Sequence, residues 1–171
     1  MKLSTGKVAF PIEFDNGEKE VIYFNPNDRD FINRVRGFEN SISERTKKID
    51  IEKYKARIGN GINAELDYET LKNMSAEEMN VLCDQFSVVM DIDAEYQQAL
   101  KDELNDIFKS DVSSVVFKYC EPTDMVIVTD EKGNEKSEMF LLQFINAFAE
   151  EIKKYQAKVT PAMEKHVGKY R

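Results

Sequence analysis

"VAFPIEFDNGEKEVIYF", Val8 to Phe24, decides how the chain begins to fold. Val8, Phe10, Ile12 and Phe14 alternate with Ala9, Pro11 and Glu13, the period of a strand with one buried face. Asn16-Gly17 supplies two residues that tolerate positive φ, as a tight type I′ turn requires. That turn implies a register. Phe14 falls opposite Lys19, Ile12 opposite Val21 and Phe10 opposite Tyr23, with Glu13 against Glu20 on the wet face. Pro11 has no N–H to donate, so its strand belongs at a sheet edge. A lone two-stranded ribbon is marginal in water, so helices are expected to cover its aromatic side.

The next stretch, "NPNDRDFINRVRGFENSI", carries the signals of a helix start. Asn25 can cap, Pro26 suits the first helical position, and Asp28 and Asp30 favour the positive end of the dipole. Phe31, Val35, Phe38 and Ile42 then make one apolar stripe, a candidate lid for the hairpin. "RTKKIDIEKYKARIGNG" either extends this helix or restarts it near Asp50, with Ile51, Tyr54 and Ile58 as apolar contacts and Gly59-Asn60-Gly61 as a stop. After a weaker helical stretch at "INAELDYETLKNM", Ser75 and Glu78 form a capping box. Met79, Leu82, Phe86, Val89, Tyr96, Leu100, Leu104, Ile107 and Phe108 follow at helical spacing. Unbroken from Ser75 to Ser110, that helix would be about 54 Å long, against about 40 Å for a compact domain of this size. It therefore breaks near Asp91–Asp93 or projects.

"DVSSVVF" fits either a short helix capped by Asp111 or a buried strand, and "MVIVTDEKGNEKSEMF" fits a second hairpin turning at Gly133 and Asn134. From Met139 to about Ala157, Leu141, Phe144, Phe148, Ile152 and Tyr155 form a stripe that Phe140 and Ile145 widen. Thr160-Pro161 would start a last short helix holding Met163 and Val167. The expected fold is α+β and mainly helical, a single domain over 1–171. Its parts are a hairpin at 1–26, a helical region at 27–110, a short helix or strand with the second hairpin at 111–138, and C-terminal helices with a basic tail at 139–171.

Charge is distributed unevenly. Residues 76–111 hold 10 acids against Lys101 and Lys109, which accounts for the whole net charge of -8. Phosphate backbones are repelled from such a face, so nucleic acid is a poor partner there. Lys153 to Arg171 carries Lys153, Lys154, Lys158, Lys165, Lys169 and Arg171 against Glu164 alone, a basic end suited to a helix C-terminus or an acidic neighbour. No apolar run reaches the roughly 18 residues of a membrane span, and "MKLSTGKVAF" lacks a signal-peptide core, so a cytoplasmic location is expected. Cys83 and Cys120 are too few for a disulfide framework and are expected to be buried free thiols.

Residues for chemistry are sparse. His166 is the only histidine, in the basic tail, and no glycine-rich phosphate loop follows a strand. "DIDAEYQQALKD" has alternating acids, but Tyr96 stands where a calcium loop needs glycine and Asp102 where it needs a bidentate glutamate. On a helix, Asp91, Asp93 and Glu95 point in different directions. No catalytic, cofactor or metal site is expected. In "LKDELNDIFKSDVSSVVF", Asp102, Glu103, Asp106 and Asp111 read as the wet side of a helix. Phe86, Val89, Leu100, Leu104, Ile107 and Phe108 form the dry side, as core or as a surface for a partner protein.

Taken in order, the hairpin "FPIEFDNG", then "YFNPNDRDFINRV", the acidic helix ending "LNDIFKSD", the junction "VSSVVF" and the late helix "MFLLQFINAFAEEIKKY" resemble the tail assembly chaperones of long-tailed phages and prophages of Gram-positive bacteria. The resemblance spans nearly the whole chain. It implies a non-enzymatic protein that holds the apolar, helical tape measure protein in solution and recruits major tail protein around it. Excess like charge keeps such a complex dispersed, and Met74, Met79, Met90, Met125, Met139 and Met163 suit an adaptable contact surface or a gap-filled core. Self-association into a homo-oligomer would cover a projecting helix. Three other classes remain open at this level: a structural virion or head-tail joining component, an acidic nucleic-acid mimic that blocks a host enzyme, and a small hydrolase, which would require a pocket that gathers carboxylates.

Overall fold

The first hairpin forms where the sequence places it, but one residue out of the register that a two-residue turn implies. In the computed structural model, which describes residues 6–59, 68–129 and 132–167, β1 (Val8–Glu13) pairs with β2 (Lys19–Phe24) so that Phe10 faces Ile22, Ile12 faces Glu20 and Glu13 faces Lys19. The turn is three residues long. Gly17 donates to the Phe14 carbonyl at 2.8 Å and Phe14 donates to Glu18 at 2.9 Å. Gly17 takes φ +82°, the left-handed conformation that such a loop needs and glycine adopts without strain. The Asn16 side chain adds an acceptor for the Glu18 N–H at 2.9 Å. A one-residue slip turns every side chain of a strand to the other face. Ile22 and Phe24 are therefore the buried residues of β2, while Val21 and Tyr23 are exposed. The slip also replaces the Glu13–Glu20 repulsion with a Glu13–Lys19 ion pair at 3.0 Å.

The remaining elements are α1 (Arg29–Gly59), α2 (Tyr68–Asn73), α3 (Ala76–Phe108), α4 (Ser113–Val116), β3 (Met125–Thr129), β4 (Glu135–Met139) and α5 (Phe140–Val167). The protein is mainly helical with two small antiparallel hairpins, the α+β class expected. Asp28 caps α1, accepting from the Asp30 and Phe31 amides at 3.0 and 3.1 Å, whereas Asn25 closes the preceding turn onto Asn27. α1 does not restart at Asp50. Asn60 and Gly61, and the Ile58 side chain, lie outside the described residues.

The expected capping box is present: Glu78 donates its amide to Ser75 Oγ at 3.2 Å and its carboxylate accepts the Ser75 amide at 2.8 Å. Those bonds hold the Glu78 carboxyl below its ordinary pKa, the Ser75 backbone bond most. α3 then runs 33 residues, about 50 Å, without a break at Asp91–Asp93. No glycine or proline lies inside it to stop it. "DVSSVVF" resolves to the short helix α4. α5 continues through Thr160-Pro161 instead of ending there, because proline removes a single backbone bond and here does not end the helix. The expected C-terminal helices are thus one. Side chains from Lys158 onward, His166 and most of the basic tail among them, lie outside the described residues.

Packing divides the chain into two compact units, one of Met1–Glu39 with Lys101–Arg171 and one of Asn40–Leu100. The first is built around Phe148, which is fully buried. Its ring meets those of Phe10 on β1 at 5.2 Å, Phe24 on β2 at 4.7 Å, Phe31 on α1 at 5.9 Å, Phe108 on α3 at 5.1 Å and Phe144 one turn earlier at 5.9 Å. Five elements therefore share one aromatic centre, and both α1 and α5 cover the hairpin. In the second unit, Thr46 Oγ1 and Tyr96 OH lie 3.1 Å apart and Lys53 pairs with Asp93, joining the two helical segments.

α3 ends in a left-handed turn. Lys109 has φ +52°, and Ser110 donates back to the Asn105 carbonyl at 3.2 Å, the longer bond of a Schellman motif. A lysine there carries strain that glycine would not. Lys109 also pairs with Asp106, an exposed contact at 2.5 Å that holds the Asp106 carboxyl below its ordinary pKa. Exposed pairs contribute little. Lys109→Gly is expected to raise stability by about 0.5–1 kcal/mol, read as a higher urea midpoint at unchanged slope. A lower midpoint would show that the ion pair outweighs the backbone strain.

Candidate functional site

Asp102 and Asp106 lie on the outward face of α3 and are exposed. Glu103, half-buried, sits beside them, and Asp111 leaves the row altogether. Its carboxylate accepts the Ser114 amide at 3.2 Å and lies 3.5 Å from Ser113 Oγ, capping α4. Ser114 is the chief reason that the Asp111 carboxyl lies below its ordinary range. Asp93, one of the alternating acids of "DIDAEYQQALKD", is engaged by Lys53. Among the described residues no group of three or more His, Cys, Asp or Glu side chains is placed to hold a metal ion. No described helix is long and apolar enough to cross a membrane.

The six residues nominated on the dry side of α3 separate into two groups. Leu100 and Leu104 are fully buried, and Ile107 and Phe108 nearly so. Burial in the chain's own core removes these four from any partner surface. Phe86 and Val89 are half-buried. Heptad-like spacing cannot tell a core seam from a docking seam, since both need apolar residues at the same positions.

What the spacing missed lies at the flanks of that seam in the second unit. Val81 is 56% exposed, Val88 41% and Met90 68%, and on α1 Ile51 and Tyr54 are exposed as well. Ile51 and Tyr54 were expected as packing contacts, but they fall on the side of α1 opposite Ile42, which is fully buried. Val81 and Val88 sit two turns apart with Asp84 between them on one row, followed by Asp91. The segment Ala76–Leu100 has six acids and no base. Large apolar side chains in an acidic setting are thus the surface character of this stretch. A sequence signal for them existed: a valine pair seven apart, displaced from the main stripe.

A concavity of about 260 Å³ lies within the first unit between α1 and α5. Ile32, Val35, Ala149 and Ile152 form its apolar part and Arg36, Glu39, Glu150 and Lys153 its charged rim. Lys153 and Glu150 pair at 2.6 Å, which lowers the Glu150 pKa.

Cys83 is exposed on α3, contrary to the expected burial, and Cys120 is half-buried. Burial, with Asp124 and Glu121 nearby, pushes the Cys120 thiol up to about 11. At pH 8 a thiol reagent is expected to label Cys83 quickly and Cys120 roughly a hundredfold more slowly than an ordinary free thiol. Peptide mass spectrometry against time locates the two. Equal rates would mean that Cys120 is not sheltered as described.

No family model matches this chain, and neither does any curated protein or solved structure.

Proposed function

We propose that this protein is a tail assembly chaperone of a long-tailed phage or prophage, working in the bacterial cytoplasm without chemistry of its own. Its partner is the apolar helical tape measure protein, around which it recruits major tail protein. The order of elements supports this reading: a hairpin, a capped helix, an unbroken acidic helix, the α4 junction and a late aromatic helix. One observation carries it. The second unit leaves Val81, Val88, Met90, Ile51 and Tyr54 at its surface, three of them on an α3 segment whose charges are all negative.

Apolar side chains in such a setting can cover an apolar helix, while the carboxylates keep the complex dispersed. The partner surface in this proposal is therefore the flank of α3 that carries Val81 and Val88, with Val89 at its margin, and not the buried Leu100–Phe108 stretch; Phe86 and Met90 lie towards the other flank. Co-expression with the tape measure protein of a long-tailed phage or prophage that encodes this chain tests the idea. The tape measure protein should stay soluble with the parent chain and sediment with Val81→Asp/Val88→Asp. Both substitutions lie at exposed positions, so the variant should keep its circular dichroism. Purified virions should lack the chain. A tape measure protein that remains insoluble with the parent chain, or a chain built into finished tails, would overturn the proposal.

A further inference from the structure

Two rows of exposed side chains in the second unit share one spacing and carry complementary charge. On α1, Glu44, Lys48, Ile51 and Lys55 follow at steps of four, three and four. On α3, Glu77, Val81, Asp84 and Val88 follow at the same steps. All eight are exposed. Such steps keep side chains on one face of a helix and are the spacing of a coiled-coil seam. The contact within the unit uses other faces, where Thr46 meets Tyr96 and Lys53 meets Asp93. The segment Asn40–Gly59 has six bases against three acids, whereas Ala76–Leu100 has six acids and no base.

The side chains decide which rows can meet. α3 laid on α3 finds no base. α1 laid on α1 stacks like on like when parallel, and sets Lys48 on Ile51 when antiparallel. α1 laid parallel on α3 sets Glu44 on Glu77 and Ile51 on Asp84. Laid antiparallel, the two rows fit: Lys48 meets Asp84, Lys55 meets Glu77, Ile51 meets Val81 and Glu44 meets Val88. Sliding one heptad further along α3 sets Glu44 on Glu95, so the charges select a single register. One like pair remains, Glu52 beside Glu78, at the exposed rim where water screens it.

We propose that copies of this chain associate through these rows, α1 of one copy lying antiparallel on α3 of the next. Within a copy Lys53 lies beside Asp93, whereas Ile51 lies beside Val81 of the next, so neighbouring copies are displaced along α3. The contact is heterologous, and copies add in series. Both helices are already formed in each copy, so pairing orders little that was free. Four layers bury less than a standard interface, so association is weak, with a dissociation constant in the micromolar range or above. Val81 and Val88 also belong to the chaperone surface proposed above. The pairing does not depend on that reading; where both hold, the tape measure protein displaces a copy.

Sedimentation velocity of the pure, full chain over a range of concentrations is expected to show association that weakens as salt is raised. Lys48→Glu/Lys55→Glu and Glu77→Lys/Asp84→Lys, each alone, are expected to weaken it by at least about tenfold. An equimolar mixture of the two variants should regain it, because the reversed α1 of one then meets the reversed α3 of the other. A chain carrying all four substitutions should regain it as well. A cysteine trap in a Cys83→Ser, Cys120→Ala background checks the register: an Ile51→Cys chain mixed with a Val81→Cys chain should form a disulfide between them on mild oxidation, and neither should form one alone. A parent chain that stays monomeric, a reversal that changes nothing, or folded variants whose mixture stays monomeric overturns the proposal. If a reversal misfolds, the trap alone decides. Rows covered only by another protein would leave the pure chain monomeric, which also overturns it. Because the measurement needs no tape measure protein, this proposal and the chaperone reading can each fail alone.

Discussion

Phe148→Ala is expected to destabilise the protein by about 3–5 kcal/mol, measured as a fall in the urea midpoint by circular dichroism. The side chain is fully exchanged for core on folding, and its ring is the common neighbour of Phe10, Phe24, Phe31, Phe108 and Phe144. Removing it opens a cavity that five different elements line, so no single element can move in to fill it. A domain with 5–15 kcal/mol of total stability loses a large share of it. Phe148→Leu should recover part, because it keeps an apolar group at the centre while losing the edge-to-face contacts. A loss under about 1 kcal/mol for Phe148→Ala would mean that the five rings do not converge as described.

The second large effect belongs to a residue of modest appearance. Asn105 Oδ1 accepts the amides of Val112 and Ser113, each at 2.8 Å, and its Nδ2 donates to Ser113 Oγ at 2.9 Å. Its own carbonyl takes the Ser110 amide. One side chain thus ties the end of α3 to the start of α4, where Val112 and Ser113 are buried. Asn105→Ala leaves two amides without their acceptor in a place water reaches poorly. At roughly 1–3 kcal/mol for each unsatisfied group, a loss of about 2–4 kcal/mol is expected in the same measurement. Asn105→Asp keeps the acceptor and loses the donor, so it should cost less than Ala. If both variants lose equally, the acceptor is not what holds the junction.

Much of this architecture is legible in local patterns. The stripe Phe31, Val35, Phe38 and Ile42 is buried throughout, and the Ser75/Glu78 box opens α3 where its residue types place it. Helix period and cap chemistry are properties of adjacent residues, so they can be read without knowing what packs on them. The hairpin register could not be read that way. Asn16-Gly17 serves a two-residue or a three-residue loop equally well, and the choice turned on which face of β2 met the aromatic core: Ile22 and Phe24 pack there, and Val21 and Tyr23 do not.

The candidate surface shows the same division. An apolar seam on α3 is visible from spacing, but whether Leu104 or Val81 meets protein depends on where other elements lie.

By itself, then, the sequence determined that this chain is mainly helical with a leading hairpin, where most helices start, and that its excess of negative charge is confined to one segment. Only the tertiary structure decided the strand register, the fate of Asn105, and which apolar residues of α3 remain outside. The physical reason is range: caps, turns and periodicity act over three or four residues, whereas burial is settled by partners that lie as far off in the chain as Phe10 is from Phe148.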